Sequence, residues 1–217
     1  DVVDILEPQI SVELIEVIDN KQDFQNILKD KKVSSILIGP GNGINNETKA
    51  RALMALAFID HVVLDADALT VFENNPEELF IDCYPHTILT PHEGEFKKIF
   101  GNEIAEIDDR ALKTKEASIK SNTTVVLKGA NTIIASPSGD VVINKSSAAY
   151  LATAGSGDVL AGIIASLVGK NKMNAFDSAC AGVWLHSEIG AILGAGMIAE
   201  DIIDMIPETI KKLIKKY

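Results

Sequence analysis

Short, unbroken apolar runs alternate with longer segments of helical spacing along most of the chain. The runs Ser35-Ile36-Leu37-Ile38, Val62-Val63-Leu64, Thr87-Ile88-Leu89 and Thr124-Val125-Val126-Leu127 read as strands apolar on both faces. Such strands belong in a parallel sheet with helices on both sides. Ile133-Ile134-Ala135 and Val141-Val142-Ile143, joined by Ser136-Pro137-Ser138-Gly139-Asp140, predict one β-hairpin. A helix is expected from Glu47 with Ala50, Leu53, Met54 and Ala57 inward. A second is expected over 96–100, stopping near Gly101. A third runs from Ile107-Asp108-Asp109 to Lys120, with Lys113, Lys115, Glu116 and Lys120 on a solvated face. Phe24, Ile27 and Leu28 suit one face of a short helix. Within residues 1–20, Val12, Ile15 and Val17 fit either a strand or a helix. Two buried helices and a terminal one close the chain. Pro207 suits the first turn of the last, and Lys211, Lys212, Lys215 and Lys216 its C-terminal half.

Each strand ends in residues suited to a ligand. They are Gly39-Pro40-Gly41-Asn42-Gly43, Asp65-Ala66-Asp67-Ala68-Leu69, Thr90-Pro91-His92-Glu93-Gly94-Glu95 and Lys128-Gly129-Ala130-Asn131-Thr132. In a parallel sheet these four segments gather on one rim. Thr153-Ala154-Gly155-Ser156-Gly157-Asp158 would complete it, with Asp158 capping a helix that buries Leu160, Ile163, Ile164 and Leu167. Glycines before a helix N-terminus suit a phosphate, and a carboxylate beside a phosphate suits a base that activates a hydroxyl. A tight turn with an N-cap accounts for the same residues. Asp65 and Asp67 could hold a metal, bind a sugar hydroxyl or, for Asp67, cap the next helix. His92 and Glu95 share a face and could orient Mg²⁺-bound water, a phosphate or a substrate amide; a capping box is the alternative. Lys128 fits either a nucleotide's phosphate or ribose, or a surface turn. His61, His86 and His186 read as structural.

The formal charge of −11 argues against nucleic acid or an anionic membrane as partner. It leaves a nucleotide open, because backbone donors and one lysine can hold a phosphate. The apolar stretch 175–197 contains Asp177, His186 and Glu188 and reads as a buried helix. Asp1, Asp4 and Glu7 do not fit a signal peptide. Cys83 and Cys180 lack metal-ligand spacing and read as reduced packing residues, so a cytoplasmic protein is expected. With no repeat or linker, residues 1–217 are read as one α/β domain.

Taken together, the four strand-end segments, Leu151-Ala152-Thr153-Ala154-Gly155-Ser156-Gly157-Asp158, Leu185-His186 and Ala199-Glu200-Asp201-Ile202 resemble the ADP/ATP-dependent NAD(P)H-hydrate dehydratases of the ribokinase-like superfamily. That resemblance implies repair of NAD(P)HX, the hydrated form of NADH or NADPH. The ring hydroxyl attacks the terminal phosphate of ADP or ATP in the presence of Mg²⁺. Phosphate is then eliminated, driven by the ring nitrogen's lone pair. Carried over, Asp158 is the base and a substrate contact. Gly41, Gly43 and His92 contact NAD(P)HX. Lys128, Gly129, Ala130, Asn131, Thr132, Ala154, Gly155, Ser156 and Gly157 contact the nucleotide, with Asn144 nearby, and Glu95 meets Mg²⁺ through water. Family members begin with a glycine-rich segment and the first βα units of the sheet. On that reading Asp1 begins mid-fold, and the missing part is expected on a longer or a separate chain. A homo-oligomer is expected from the apolar helices after Gly155. The alternatives are a small-alcohol kinase, like the hydroxyethylthiazole or hydroxymethylpyrimidine kinases, and a non-catalytic nucleotide-binding protein. His92, where those kinases carry asparagine, and the Gly39 turn count against the first, and Asp158 counts against the second.

Overall fold

The computed structural model describes residues 21–30, 32–145, 149–170 and 173–214. The expectations for residues 1–20 and for Lys215 and Lys216 lie outside these. Six strands form one sheet whose spatial order follows the chain: β1 (Ile36–Ile38), β2 (Val62–Leu64), β3 (Ile88–Leu89), β4 (Thr124–Leu127), β5 (Thr132–Ala135) and β6 (Val141–Asn144). β1 to β4 are parallel, with Leu37 opposite Val63, Val63 opposite Ile88 and Ile88 opposite Thr124. The hairpin of β5 and β6 adds antiparallel to β4, with Val126 opposite Ile134 and Ile134 opposite Val142.

The period of two along each strand divides the core between the two faces. Val63, Ile88, Val126 and Ile134 point to one side. There they pack on Leu160, Ala161, Ile164 and Val168 of α7 (Ser156–Lys170) and on Ala175, Ala179 and Val183 of α8 (Ala175–Leu193). Val62, Leu64, Leu89, Val125 and Leu127 point to the other side. They meet the buried side chains of α1 (Lys21–Leu28), α2 (Asn46–Phe58), α3 (Asp67–Thr70), α4 (Pro76–Ile81), α5 (Glu93–Ala105) and α6 (Arg110–Ser121). A third cluster, which includes Ile163, Leu167, Leu185, Ile189, Ile202 and Ile210, docks α9 (Ala199–Ile214) onto α7 and α8. Among the described residues no helix is long and apolar enough to cross a membrane.

Several local expectations are corrected. In α2 the inward face is Thr48, Ala52, Ala55 and Leu56, whereas Ala50 and Ala57 are exposed. Asn45 Oδ1 accepts the N–H groups of Glu47 and Thr48, and Thr48 Oγ1 donates to the Asn42 carbonyl. This cap turns Thr48 inward and sets the phase of everything after it. In α6, Lys113 is buried rather than solvated. Its Nζ sits 2.8 Å from Glu93 Oε2 and over the Phe96 ring. That helix starts after its N-cap, Asp109. The helix expected to stop at Gly101 kinks there, at φ 73°, and continues to Ala105. Pro207 lies inside α9, not in its first turn. It withholds one N–H from the Ile203 carbonyl; Ile203 is exposed, so water can replace the donor.

Candidate functional site

Gly39 follows β1 at φ 136°, and a Cβ there would collide with the Asp65 carbonyl oxygen. The first glycine turn is therefore pressed onto the end of β2. It is laced by Gly39 N–H donating to Asn42 Oδ1 at 2.8 Å and Gly43 N–H donating to Asp67 Oδ2 at 2.7 Å. Asp67 thus spends its carboxylate on the neighbouring turn; α3 has Ala66 at its N-cap position and no side-chain cap. Ala66 stands at φ 47°, ψ −117°, a costly conformation for a residue with a Cβ. The strain falls between Asp65 and Asp67.

Asp65 is wholly buried, with Oδ1 2.7 Å from Lys128 Nζ. Its Oδ2 has no hydrogen-bond partner among the described residues. Lys128 leaves β4 with its N–H donating to the Pro91 carbonyl at 2.9 Å, which ties the third and fourth strand ends together. Its Nζ is also 4.0 Å from Glu95 Oε2. Glu95 is buried and accepts from the His92 N–H at 2.8 Å, while His92 Nδ1 accepts from Gly94 and Glu95 N–H. His92 and Glu95 therefore form the capping box of α5. With Nδ1 accepting, the proton of the neutral ring is on Nε2, 3.3 Å from Glu95 Oε1. The imidazole remains largely exposed at the rim.

The loop after Lys128 is held by Arg110, which the pattern of the sequence did not single out. Its guanidinium donates to the Asn131 carbonyl at 2.6 Å and to Glu93 Oε1 at 2.7 Å. A Cβ on Gly129 would fall 2.7 Å from Arg110 Nη2, so a larger residue there would push the guanidinium aside. An arginine at N1 of a helix carries no signal of a partner twenty residues on. Gly129, Ala130 and Asn131 are exposed, and Thr132 starts β5.

The second glycine loop closes the rim. Gly155 stands at φ 82° against Ala199, Ser156 Oγ donates to the Leu151 carbonyl at 2.5 Å, and the Val159 N–H donates to the Gly155 carbonyl. The helix consequently begins at Ser156, and Asp158 sits in its first turn rather than at the cap. Helix geometry leaves the earliest N–H groups without intrahelical acceptors. Ser156 N–H goes to Thr153 O. A Cβ on Gly157 would lie 3.6 Å from Lys128 Nζ. The exposed carboxyl of Asp158 is held above the usual carboxylate range, first by partial burial and then by Asp65; Lys128 opposes this and Asp67 adds to it. The rim thus gathers Asp65, Asp67, His92, Glu95, Lys128, Gly157 and Asp158. Asn144 is engaged elsewhere, donating to Ser187 Oγ at 2.6 Å. A groove of about 710 Å³, lined by residues including His86, Thr124, Ser136, Asp140, Asn174 and Asp177, lies at the opposite end of the strands.

These residues fit a polyphosphate: a helix N-terminus, a glycine with room above it and one cation. Among the described residues no three His, Cys, Asp or Glu side chains are grouped to hold a metal. Mg²⁺ carried on phosphate oxygens needs only one or two carboxylates from the protein. The Asp158 carboxylate is exposed, whereas the unpartnered Asp65 Oδ2 is enclosed by protein.

A family model described as NAD(P)H-hydrate dehydratase matches residues 3–215. The chain is 36% identical over 190 residues to the ADP-dependent (S)-NAD(P)H-hydrate dehydratase of Neisseria meningitidis, an alignment covering 82% of this chain and 63% of that one. The chain therefore spans less than two thirds of that relative's length. Among solved structures, the Bacillus subtilis ADP/ATP-dependent NAD(P)H-hydrate dehydratase co-crystallised with ATP and Mg²⁺ superposes with a TM-score of 0.70 at 29% identity. The match covers 87% of this chain and 69% of that one. A ribokinase-like superfamily protein from Enterococcus faecalis gives 0.77 at 26% identity, covering 89% and 68%. The sheet order, the rim and these likenesses agree: the fold is ribokinase-like, and the chain belongs to the NAD(P)H-hydrate dehydratase family.

Proposed function

We propose that this protein restores NAD(P)H from NAD(P)HX at the expense of ADP or ATP, with Asp158 as the base. The observation that carries the proposal is Asp158 itself. It sits in the first turn of α7, facing the fields of Lys128, Asp65 and Asp67, with its carboxyl held above its ordinary value. A raised value makes a carboxylate a better proton acceptor.

Phosphoryl transfer needs positioning and charge compensation more than covalent help. The open N-terminus of α7 over 154–157 and the ammonium of Lys128 hold the terminal phosphate. The exposed loop 129–132 lies along the rest of the nucleotide. Gly41, Gly43 and the exposed imidazole of His92 form the wall for the hydrated nicotinamide. Asp158 takes the proton of the ring hydroxyl as its oxygen bonds to phosphorus and the nucleotide's bridging oxygen departs. AMP leaves from ADP, or ADP from ATP. The ring nitrogen's lone pair then expels the phosphate by breaking the carbon–oxygen bond, and loss of a proton from the adjacent ring carbon restores the double bond. Mg²⁺, when bound, would neutralise phosphate charge, and Glu95, whose carboxylate is already engaged in its capping box, would act on it through water. We place the activity in a cytoplasmic homo-oligomer, with residues 1–217 forming one ribokinase-like domain.

The test is to incubate NADHX or NADPHX with the protein, Mg²⁺ and either ADP or ATP, and to follow the reduced-nicotinamide absorbance. Recovery with a nucleotide and none without it is the expected result. Phosphorylation of hydroxyethylthiazole, with no recovery of absorbance, would replace this reading by the kinase one.

A further inference from the structure

His186, buried in the middle of α8, takes no part in the chemistry above. Its Nε2 lies 2.9 Å from the Ser156 carbonyl oxygen, thirty residues earlier in the chain. A carbonyl has no proton to give, so Nε2 is the donor and the ring's proton is on that nitrogen. Burial lowers the imidazole to about 4, so it is neutral at working pH.

The Ser156 carbonyl belongs to the same planar peptide group as the Gly157 N–H. As the first carbonyl of α7 it faces the N–H of Leu160 along the helix, and the imidazole takes its remaining lone pair. Two donors on one carbonyl fix the tilt of the peptide plane. They also polarise it, which strengthens the N–H at its other end. That N–H is Gly157's, beside Lys128. The next residue of α8 binds a different element: Ser187 Oγ accepts from Asn144 at the end of β6. Consecutive residues of one helix thus bind the start of α7 and the end of β6.

We infer that His186 is a positioning residue: through the Ser156–Gly157 peptide it aims and strengthens the amide that meets the transferring phosphate. The inference rests on the proposed function for its kinetic consequence, but not for its structural one.

The experiment compares wild type, His186→Leu and His186→Gln, using ADP as the probe. Three readouts are taken: the Kd for ADP, kcat against KM for NADHX, and the Gly157 amide resonance with and without ADP. The Leu variant should bind ADP about tenfold more weakly and lose kcat to a similar extent, as loss of an outer hydrogen-bond partner does at other ion sites. Its KM for NADHX should not change, and its Gly157 amide should no longer shift with ADP. The Gln variant, whose side-chain amide can replace Nε2–H, should recover both the affinity and the shift. A Leu variant with a lower Tm but native ADP affinity and kcat would overturn the inference. So would a Gln variant as impaired as the Leu one. Should the Leu variant not fold, Gln decides alone: native affinity with a native Gly157 shift supports the assignment, and loss of both defeats it. Wild type that binds ADP with the Gly157 shift yet restores no NAD(P)H absorbance would defeat the dehydratase reading and leave this one standing.

Discussion

Lys128 Nζ and Asp65 Oδ1 stand 2.7 Å apart, and Asp65 is wholly enclosed by protein. The pair joins the ends of β4 and β2, so the cation proposed to meet a phosphate is held in place by a carboxylate with no access to water. Lys128→Met would leave that carboxylate uncompensated, at a cost of about 3–5 kcal/mol. Lys128→Met with Asp65→Asn removes both charges and should regain most of the stability. It should not regain affinity for ADP. Urea unfolding and calorimetric titration of the two variants separate these effects. A double variant as unstable as the single one would show that the pair is not where the energy lies.

Asp158→Asn keeps the shape of the first turn of α7 and removes the proton acceptor. Turnover should fall by at least about a hundredfold, with the Kd for ADP changed little. In wild type, activity should fall as pH drops through the carboxyl's own value, because the base is then protonated. Partial burial and Asp65 raise that value in the free protein, so the acid limb of kcat/KM should lie above the ordinary carboxylate range. An acid limb at or below the usual aspartate value would contradict the electrostatic account of the site.

His92 has two jobs that substitution can separate. Its Nδ1 accepts two backbone N–H groups at the start of α5. His92→Ala should therefore cost about 1 kcal/mol of stability through the lost cap, whatever the ring does for a ligand. His92→Asn or His92→Ser restores a capping acceptor without the imidazole. If the ring touches the hydrated nicotinamide, all three variants raise KM for NADHX more than the Kd for ADP, and only the Ala variant melts markedly earlier. Equal losses toward both ligands would remove His92 from the substrate wall.

The first glycine turn permits a similar separation. Gly39→Ala drives a Cβ into the Asp65 carbonyl and should not yield a native fold. Gly41→Ala meets nothing within contact distance and carries only the strain of φ 70°; about 1 kcal/mol is expected. A Gly41→Ala protein that folds, binds ADP normally and shows a raised KM for NADHX would support the substrate contact. One with unchanged kinetics would move that contact away from Gly41.

The sheet and its hairpin were legible because β1 to β5 are apolar on nearly every position, and an apolar run between turn residues has few other uses. The rim was legible for the same reason: parallel strands bring their ends together, so four separate turn motifs had to meet. Helix faces were harder to read. The inward side of α2 was half right: Leu53 and Met54 pack against the core, but Thr48, a polar residue whose hydroxyl bonds Asn42 O, leads the fully buried face and Ala50 and Ala57 are exposed. Lys113 was read as solvated because its partner, Glu93, lies on another helix. The same limit hid Arg110, the pairing of Lys128 with Asp65 and the bond from His186 to Ser156. These are contacts between residues about twenty to sixty positions apart, and no local spacing encodes them. The glycine motif at the start of α7 suggested a phosphate site, but what holds the rim together depends on long-range contacts.

His186 also sets a dependence of stability on pH. Burial brings the native imidazole down to about 4, against 6.5 for a histidine in the unfolded chain. Between those values the unfolded chain takes up a proton that the native protein refuses. Stability is therefore full above about pH 6.5 and declines as pH falls toward 4, by about 3 kcal/mol at most from this group. Other groups titrate in the same window, so wild type must be compared with His186→Gln, which keeps the donor and cannot titrate. The difference in unfolding free energy between the two should move in favour of Gln from about pH 7 to about pH 4.5 and level off below about pH 4. Parallel stability profiles would mean that the imidazole is not enclosed as described. The bond to Ser156 would then form in competition with water, and the positioning of Gly157 would lose its physical basis.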